Sequence, residues 1–390
     1  MSDAFIISGA RTPIGSFRGA FKTLTATDLG GVAVAGAIER SGLSNEQIDE
    51  VIMGNVLQAG VGQAPARQAA LKAGLPPTIA AVTVNKVCGS GLKAVMMAGQ
   101  AIRCGDASAI VAGGMENMTV APHFARGLRE GVKLGNFDMI DAMVSDGLTC
   151  AFEGCHMGNH AEHIAQKFNV TREMQDEFSV NSQLRASKAV ADGLFKNEIV
   201  PVTVKSRRSE TVVDTDEGPR PDSTIEGLAG LRAVFQKDGL VTAGNASTIN
   251  DGAAAVVVCD AATAEGHDFK FRIVACHTSG TEPKDLFIAP VGAVRGAVEK
   301  AGIALGDIEL FEINEAFAAQ MVACVNELGL DMSIVNVNGG GIALGHPIGA
   351  SGARVLVSLM YAMKAHGKKL GCASLCLGGG NAVAMIIEAA

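Results

Sequence analysis

The sequence predicts an α/β layered fold in two similar halves, with a further segment inserted in the first half. Three observations lead to this prediction. The two ends of the chain repeat each other, each half alternates helical and strand patterns, and the middle differs in composition. The chain has 390 residues, of which 48% are hydrophobic. That length can form a large buried core in two or three domains.

The first observation is the internal repeat. The segment GAIERSGLSNEQIDEVI begins at Gly36, and GAVEKAGIALGDIELFE begins at Gly296, 260 positions later. No gap is needed, and the identical positions are Gly36, Ala37, Glu39, Gly42 and Ile48. Farther along, Ser90 and Ser351 each open an apolar segment. A diverged duplication of this length predicts a core with pseudo-twofold symmetry.

The second observation is the alternation of elements. Residues 92–102 are apolar on nearly every side, so we expect a helix buried on all its faces. Gly105 and Gly367 stand where helices should end. Short apolar runs follow them, at 109–112 and 375–377, as is typical of buried strands. Helices that alternate with such strands predict an α/β layered fold.

The third observation is the charged middle segment. Residues 119–248 hold 32 of the 72 charged residues. Thr171 is a suitable N-cap for a helix that starts at Arg172 and ends near Gly193. We interpret the segment as an insertion, either a ligand-binding lid or a solvated segment without function. The expected units are therefore a first half (1–118 with 249–270), the insertion (119–248) and a second half (271–390).

The composition argues against several classes of protein. A net charge of −8 disfavours a nucleic-acid partner, because phosphate binding needs a basic face. We expect neither a secretion signal nor a membrane span, since no basic, apolar leader and no apolar run of about 20 residues is visible. Nine cysteines without a framework spacing suit a reducing, cytoplasmic location. No CxxC pair occurs, which argues against a zinc site.

The stretch VNKVCGSGLKAV places a lone cysteine, Cys88, before a glycine-rich helix start. Residues 81–85 are typical of a strand, and the small residues 89–91 permit a tight turn. A thiol at a helix N-terminus faces unpaired N–H groups, which lowers its pKa and favours a nucleophile. A buried core cysteine is the equally open alternative. The repeat aligns Cys88 with Gly349, so the fold does not require a thiol there.

His346 lies in VNGGGIALGHPIGASG, where six of sixteen residues are glycine. Pro347 favours an extended conformation for His346. The glycines indicate close backbone packing or close approach of a ligand. A histidine beside a helix start can act as the base for a thiol. A core histidine that is satisfied by backbone groups is the alternative.

Two other residues stand at predicted strand ends. Cys376 precedes a run of three glycines, and aligning its strand with 109–114 places Val111 opposite it. Cys376 is either a small core residue or a thiol at the strand's end, where open α/β sheets bind ligands. Asn314, in FEINEAFAAQ, is either a helix N-cap or a group that orients a water or an oxyanion.

These stretches resemble the thiolase family along the whole chain. The matching motifs, in the family's order, are VCGSGLKAV around Cys88, GGMEN at 113–117, NEAFA at 314–318, GHPIGASGAR at 345–354 and CLGGGNA at 376–382. The resemblance implies the thiolase fold, with two βαβαβαββ halves in a layered α-β-α-β-α core and an inserted loop domain. The phrases HMG at 156–158 and VTAGNAS at 241–247 favour the short-chain, acetoacetyl-CoA type.

The resemblance also implies a mechanism, the condensation of two acetyl-CoA to acetoacetyl-CoA and CoA, or its reverse. His346 would deprotonate Cys88, which becomes acetylated, and Cys376 would act as the acid/base for the second acetyl-CoA. One oxyanion hole would use His346 with a water held by Asn314. The other would use the N–H groups of Cys88 and Gly378.

The family's CoA contacts fall on a further set of positions in this chain. They are Leu148, His156, Met157, Arg220, Phe235, Ala243, Ser247, Ala316 and Phe317. Arg220 is suited to the nucleotide's phosphates. Gly227 departs from the serine that relatives often carry, so the adenine end of the site follows the family pattern least closely. The resemblance implies no metal and no cofactor other than CoA as substrate or product, and a homo-oligomer, either a dimer or a tetramer.

Three other functions are alternatives to this reaction. A decarboxylating ketoacyl synthase generally has a second histidine where this chain has Asn314, and it lacks Cys376. An inactive binding or scaffold protein is disfavoured, because Cys88, His346, Cys376 and Asn314 are all present. A 3-ketoacyl-CoA thiolase that acts on longer chains is the alternative within the family. The direction of the reaction in the cell does not follow from the residues.

Overall fold

The computed structural model describes residues 3–206 and 209–390. The strands are β1 (Phe5–Arg11), β2 (Gly15–Ser16), β3 (Glu50–Gly54), β4 (Ala80–Val84), β5 (Ala109–Asn117), β6 (His123–Phe124), β7 (Ile140–Asp141), β8 (Val202–Lys205), β9 (Glu210–Val213), β10 (Asn250–Cys259), β11 (Phe271–Gly280), β12 (Leu310–Ile313), β13 (Leu370–Leu377) and β14 (Asn381–Ala389). The helices are α1 (Ala26–Ser41), α2 (Pro65–Lys72), α3 (Ser90–Cys104), α4 (Met157–Lys167), α5 (Arg172–Ala191), α6 (Ile225–Ala229), α7 (Ala289–Ala301), α8 (Ala318–Leu328), α9 (Gly341–Leu344) and α10 (Ser351–His366).

The main sheet runs in the order β12-β13-β14-β11-β1-β10-β5-β3-β4, and β2 pairs with β10. The two halves join where β1 meets β11, through the pairs Phe5 with Arg272 and Ile6 with Phe271. The first half follows the expected βαβαβαββ order. In the second half the third strand is reduced to a single parallel bridge between Phe311 and Val335.

The layers follow the predicted α-β-α-β-α arrangement. Helix α1 packs on β1, β5 and β10, and α2 packs on β3 and β4, while α7 packs on β11, β13 and β14. Helices α3 and α10 lie between the two halves of the sheet and contact each other. The predicted burial on all faces does not hold fully for α3, where Gln100 is exposed. It holds for the first part of α10, where every residue from Ser351 through Leu359 is buried.

The starts of α3 and α10 meet at glycines. A Cβ on Gly91 would lie 2.7 Å from the backbone nitrogen of Ala353, and a Cβ on Gly352 would overlap the backbone nitrogen of Leu92. Only glycine lets the two helix starts approach so closely. The repeat therefore brings the loop that carries Cys88 next to the loop that carries His346.

The alignment of the two halves is confirmed in the first repeated segment and is wrong in the last strand. Gly42 and Gly302 both end a helix with a positive φ, and β3 and β12 begin 260 positions apart. In the sheet, however, Glu50 pairs with Ile110 while its counterpart Leu310 pairs with Gly371. Counting five residues onward along each strand places Cys376 opposite Met115, not Val111. The motif-based alignment missed this because β13 begins at Leu370, before its most apolar run.

The insertion supplies α4, α5, α6 and two small hairpins, and among the described residues it adds no strand to the main sheet. The Thr171 side chain accepts a hydrogen bond from the N–H of Met174, and α5 ends at Ala191, as predicted to within two residues of Gly193. Helix α4 packs on α8, and α5 packs on α8 and α9. The insertion therefore covers one side of the second half. Of the helices in the described part of the chain, none is long and apolar enough to cross a bilayer.

Candidate active site

A single cleft of about 900 Å³, counting its open mouth, gathers most of the predicted site residues. It is lined by Cys88, His346, Cys376 and Gly378 at its inner end. The predicted CoA contacts on its walls are Leu148, His156, Met157, Phe235, Ser247, Ala316 and Phe317. The lining is mainly apolar, as expected for a site that takes an acyl chain and excludes water.

Cys88 sits on a strained turn between β4 and α3. The preceding residue, Val87, has φ +47°, a conformation that costs a β-branched residue about 1–3 kcal/mol. The turn is held because the Lys86 N–H donates to Ser90 Oγ at 2.8 Å. Gly89 has an ordinary φ of −87°, and its importance is steric, because a Cβ there would overlap Leu377. Strain of this kind is stored where a side chain must be aimed at a site.

The expected low pKa of Cys88 is wrong for the free enzyme. Burial raises the pKa of this thiol to about 12, while the N–H groups of Gly378 and of Cys88 itself act in the opposite direction. The resting group is therefore a neutral thiol that needs a base. Both backbone N–H groups nonetheless point at the sulfur, so they are placed to receive negative charge that develops beside it.

His346 is buried, and its ring is held from several sides. Its Nδ1 lies 2.6 Å from Ser351 Oγ, and its backbone N–H donates to Asn250 Oδ1 at 3.0 Å. The Ser351 hydroxyl donates to the Pro347 carbonyl oxygen at 2.9 Å, so its oxygen is free to accept Nδ1–H. That arrangement leaves Nε2 unprotonated. Burial, and then the charge of Arg354, lowers the pKa of His346 to about 3, so the imidazole is neutral and can act as a base.

Asn314 is not a helix N-cap. Helix α8 begins at Ala318, and the residue before it, Phe317, makes no side-chain cap. Instead Asn314 is fully buried, and its Nδ2 lies 3.3 Å from Nδ1 and 3.4 Å from Nε2 of His346. Arg354 Nη2 donates to Asn314 Oδ1 at 3.4 Å. Asn314 therefore contacts the imidazole directly.

Cys376 lies near the end of β13, with its thiol buried among Phe287, Phe317 and other apolar groups. Burial, and then the neighbouring Cys88, raises the pKa of Cys376 well above its usual value. The effect of Cys88 on the pKa of Cys376 places the two thiols within electrostatic reach of each other, and both line the same cleft. Gly378 follows two residues later and lines the same cleft.

The partner position of Cys88 in the repeat has no room for a side chain. A Cβ on Gly349 would lie 2.6 Å from the Met115 carbonyl oxygen and 2.7 Å from Glu116 Oε2. The absence of a thiol there thus reflects packing, and it does not by itself argue that Cys88 is functional. Glu116 accepts the Gly349 N–H at 3.0 Å, and burial raises its pKa to about 7.

Three buried residues around the site were not predicted from the sequence: Ser351, Asn250 and Glu116. Ser351 belongs to the repeat and Glu116 belongs to the GGMEN motif, but neither pattern indicated a function for the residue. Asn250 opens β10 in a stretch that carried no motif. Each of the three is a polar residue in or beside a glycine-rich or apolar run, and this pattern could have marked it as a candidate site residue.

The predicted CoA contacts divide into two groups. His156 and Phe235 stack at 4.8 Å between ring centroids, and Phe235 meets Phe317 edge-on. Gly158 permits this stack, because a Cβ there would overlap the Phe235 ring. Arg220 and Ala243, by contrast, are exposed and do not line the cleft. They lie outside the part of the site that the cleft defines.

Two protein-family models match successive parts of the chain. Residues 4–262 match the thiolase N-terminal domain and residues 268–389 match the thiolase C-terminal domain. The chain belongs to the thiolase family. This membership and the thiolase fold confirm the resemblance seen in the sequence motifs.

Individual thiolases match over their full length. The acetyl-CoA acetyltransferase of Escherichia coli (strain K12) is 52% identical over 391 residues, covering 100% of this chain and 99% of that protein. The acetyl-CoA acetyltransferase of Rhizobium meliloti (strain 1021) is 53% identical, with 98% of each chain covered. The crystal structure of the Bacillus anthracis acetyl-CoA acetyltransferase superposes with a TM-score of 0.97 at 42% identity, covering 100% of this chain and 99% of that one.

Proposed function

We propose that this thiolase catalyses the reversible condensation of two acetyl-CoA to acetoacetyl-CoA and CoA. The observation that carries the proposal is the meeting of Cys88, His346 and Cys376 at the inner end of one cleft. Relatives that share about half of their residues with this chain over its full length bear the name acetyl-CoA acetyltransferase. They favour this function over the longer-chain alternative.

The first half-reaction transfers an acetyl group to Cys88. Nε2 of His346 takes the thiol proton as the sulfur attacks the thioester carbonyl. The C–S bond to CoA then breaks, and the departing CoA thiolate takes the proton of the Cys376 thiol and leaves as free CoA, while Nε2 of His346 keeps the proton of Cys88. A neutral imidazole is the required starting form, which agrees with the lowered pKa of His346.

The second half-reaction forms the carbon–carbon bond. Because burial and Cys88 raise the pKa of Cys376, this group is a neutral thiol in the free enzyme and becomes a thiolate only by giving its proton to the departing CoA. The Cys376 thiolate then takes a proton from the methyl group of the second acetyl-CoA, and the resulting enolate attacks the acetyl group on Cys88. The bond from the acetyl carbon to the Cys88 sulfur breaks, and the Cys88 thiolate takes back its proton from Nε2 of His346, so both thiols and the imidazole return to their starting forms.

Two donor sets are available for developing negative charge. The N–H groups of Cys88 and Gly378 already point at the Cys88 sulfur and would stabilise the oxyanion formed on its acyl group. The N–H at Nε2 of His346, formed when this nitrogen takes the Cys88 proton, would serve the second thioester's enolate together with a water held by Asn314. A donor of this kind is typically worth about 3–4 kcal/mol. The chemistry proposed here uses groups of the chain and of CoA alone.

Two other functions fit the site less well. A decarboxylating ketoacyl synthase has no use for a thiol at position 376, and Asn314 occupies the place of its second histidine. A scaffold protein has no need for a strained Val87 beside a cysteine at the end of a cleft. Arg220 and Ala243, which lie off the cleft, remain proposed contacts for the nucleotide end of CoA.

An unpaired strand at one edge of the main sheet is the basis for proposing a homodimer. Strand β4 pairs with β3 on one side only among the described residues, and its outward-facing Val82 is exposed. An unpaired edge strand with exposed apolar side chains is a template for another chain. A tetramer would need a second surface, and the exposed Leu134, Phe137 and Met139 of the insertion offer one. A cytoplasmic location stays a prediction.

Chain-length profiling tests the proposed function. Thiolysis of acetoacetyl-CoA should exceed that of ketoacyl-CoA substrates of longer chain, because the bulky side chains of Met157, Phe235 and Phe317 line the same cleft as the catalytic residues and would limit the space for a longer acyl chain. Equal or faster thiolysis of the long substrates would replace the short-chain proposal with the longer-chain alternative. No thiolysis of any ketoacyl-CoA would refute both.

A further inference from the structure

A group of metal-ligating side chains lies beside the cleft, outside the catalytic residues. Thr149 pairs with His156 in an antiparallel bridge, and the Cys150 N–H donates to the Cys155 carbonyl oxygen at 2.8 Å. The resulting hairpin turns at Gly154, which has φ +65°. It delivers Glu153 and Cys155 to the start of α4.

Helix α4 supplies the third side chain, His160. Its Nε2 lies 3.5 Å from Cys155 Sγ, and the donor atoms of Glu153, Cys155 and His160 all lie within 4.8 Å of one another. His160 is only 2% exposed, Cys155 is half-buried and Glu153 is exposed. The cluster thus has a fixed inner side and an open outer side through which an ion can enter.

The spacing fits a tetrahedral ion. Bonds of roughly 2.3 Å to sulfur and 2.0 Å to nitrogen, at a tetrahedral angle, separate those two atoms by about 3.5 Å. This is the separation observed between Cys155 Sγ and His160 Nε2. The carboxylate of Glu153 lies within 4.8 Å of both atoms, and a change of rotamer of this exposed side chain can bring it to the same centre.

The surroundings support the orientation of the histidine. The His160 ring also hydrogen-bonds to the backbone of Lys284, while Nε2 faces Cys155. A second partner of this kind fixes the ring of a metal-binding histidine. Nearby, the Asp285 carboxylate contacts His163 Nε2 at 2.9 Å and forms an ion pair with Lys167 Nζ at 2.8 Å, so its charge is already balanced and the cluster's own donors must hold the ion.

We propose that Glu153, Cys155 and His160 form a binding site for a transition-metal ion of the Zn²⁺ class, with water as the fourth ligand. One thiolate, one imidazole and one carboxylate are the donors that such an ion prefers. The Cys155 thiol loses its proton to solvent when the ion binds. The chain has no CxxC pair, so this site uses one cysteine with a histidine five residues later.

The site is placed to act on the cleft. Its hairpin and α4 flank His156 and Met157, which line the cleft wall. A bound ion would lock the hairpin to the helix and so change how tightly that wall holds the substrate. This consequence rests on the proposed function, whereas binding of the ion does not.

Binding is tested with Co²⁺, because a cobalt–thiolate bond gives a charge-transfer absorption that other ligands do not. The protein carries Cys88→Ser and Cys376→Ser, so that the catalytic thiols cannot contribute. We expect one Co²⁺ per chain with the thiolate band. Adding Cys155→Ser should abolish the band, and adding Glu153→Gln should weaken binding by about tenfold.

The matched control is Cys104→Ser, which removes an exposed cysteine at the end of α3 and should leave the band unchanged. Both hairpin substitutions fall on exposed or half-buried positions, and circular dichroism checks that each variant is folded. The proposal is overturned if no band forms, or if the band survives Cys155→Ser. Because the readout is metal binding, its failure leaves the proposed thiolase activity untouched.

Discussion

Nδ1 of His346 lies 2.6 Å from the hydroxyl oxygen of Ser351, five residues farther along the chain. The Ser351 hydroxyl donates to the Pro347 carbonyl oxygen at 2.9 Å. The serine therefore accepts the Nδ1 proton and leaves Nε2 unprotonated, as the proposed base must be. Ser351 is a positioning residue, since it sets the tautomer of the group that reacts.

Ser351→Ala should lower the rate of acetyl exchange between acetyl-CoA and CoA by roughly ten- to a hundredfold, less than the full 10²–10⁴-fold contribution of a general base, because the base is still present but is no longer held in the right tautomer. The KM for acetyl-CoA should change little. Ser358→Ala is the matched control, because it removes a buried hydroxyl from the same helix, one that lies 3.3 Å from Glu198 Oε1 and away from the imidazole. A loss that is equal in both variants would mean that packing, not the tautomer, is responsible.

The pH dependence of acetyl exchange should show no loss of activity from imidazole protonation near pH 6.5. The pKa of His346 is lowered to about 3 by burial and by Arg354, so the folded enzyme keeps a neutral base down to acid pH. Between pH 6.5 and 3 the unfolded chain binds the extra proton, so this group makes the protein less stable as pH falls through that window. Above pH 6.5 it contributes nothing to the pH dependence of stability.

The measurement is kcat/KM for acetyl exchange between pH 5.5 and 8, with folding checked at each pH. The same profile is measured for His366→Gln, which removes an exposed imidazole from the end of α10 and leaves the surroundings of His346 unchanged. A decline centred near pH 6.5 in both proteins would contradict the assigned protonation state of His346.

Gly349→Ala should destabilise the protein by about 1–3 kcal/mol, as overpacking of a core does. The added methyl group would lie 2.6 Å from the Met115 carbonyl oxygen and 2.7 Å from Glu116 Oε2. Gly306→Ala is the matched control, because nothing lies within 4 Å of a Cβ at that position. Chemical denaturation measures both. Equal stability of the two variants would show that the core at Gly349 relaxes without cost.

The sequence predicts the fold well where the information is local or repeated. Helix ends at Gly105 and Gly367, and the Thr171 cap, follow from the conformations that those residues prefer. The duplication then implies two equivalent halves. Strand register does not follow in the same way, because pairing with neighbouring strands sets it. That is why Cys376 was aligned with Val111 although the sheet places it opposite Met115.

The candidate site, like the fold, could be predicted from the sequence only where the information is local. The sequence identifies Cys88, His346, Cys376 and Asn314, since their motifs are distinctive. It does not predict the pKa of Cys88, because burial outweighs the N–H groups at the helix start. Nor does it predict Val87 as the strained residue, since the turn around it is held by the hydrogen bond from the Lys86 N–H to Ser90 Oγ, which exists only in the folded chain.

The account depends most on Cys88 as the acetyl acceptor and Cys376 as the base for the second step. Cys376→Ala should therefore accept an acetyl group and then stop. Mass spectrometry of this variant after incubation with acetyl-CoA should show a 1:1 acetyl adduct on the peptide that contains Cys88, and no acetoacetyl-CoA should form. The adduct should be absent when Cys88→Ala is added. An acetyl group on another residue, or condensation at an undiminished rate without Cys376, would contradict the account.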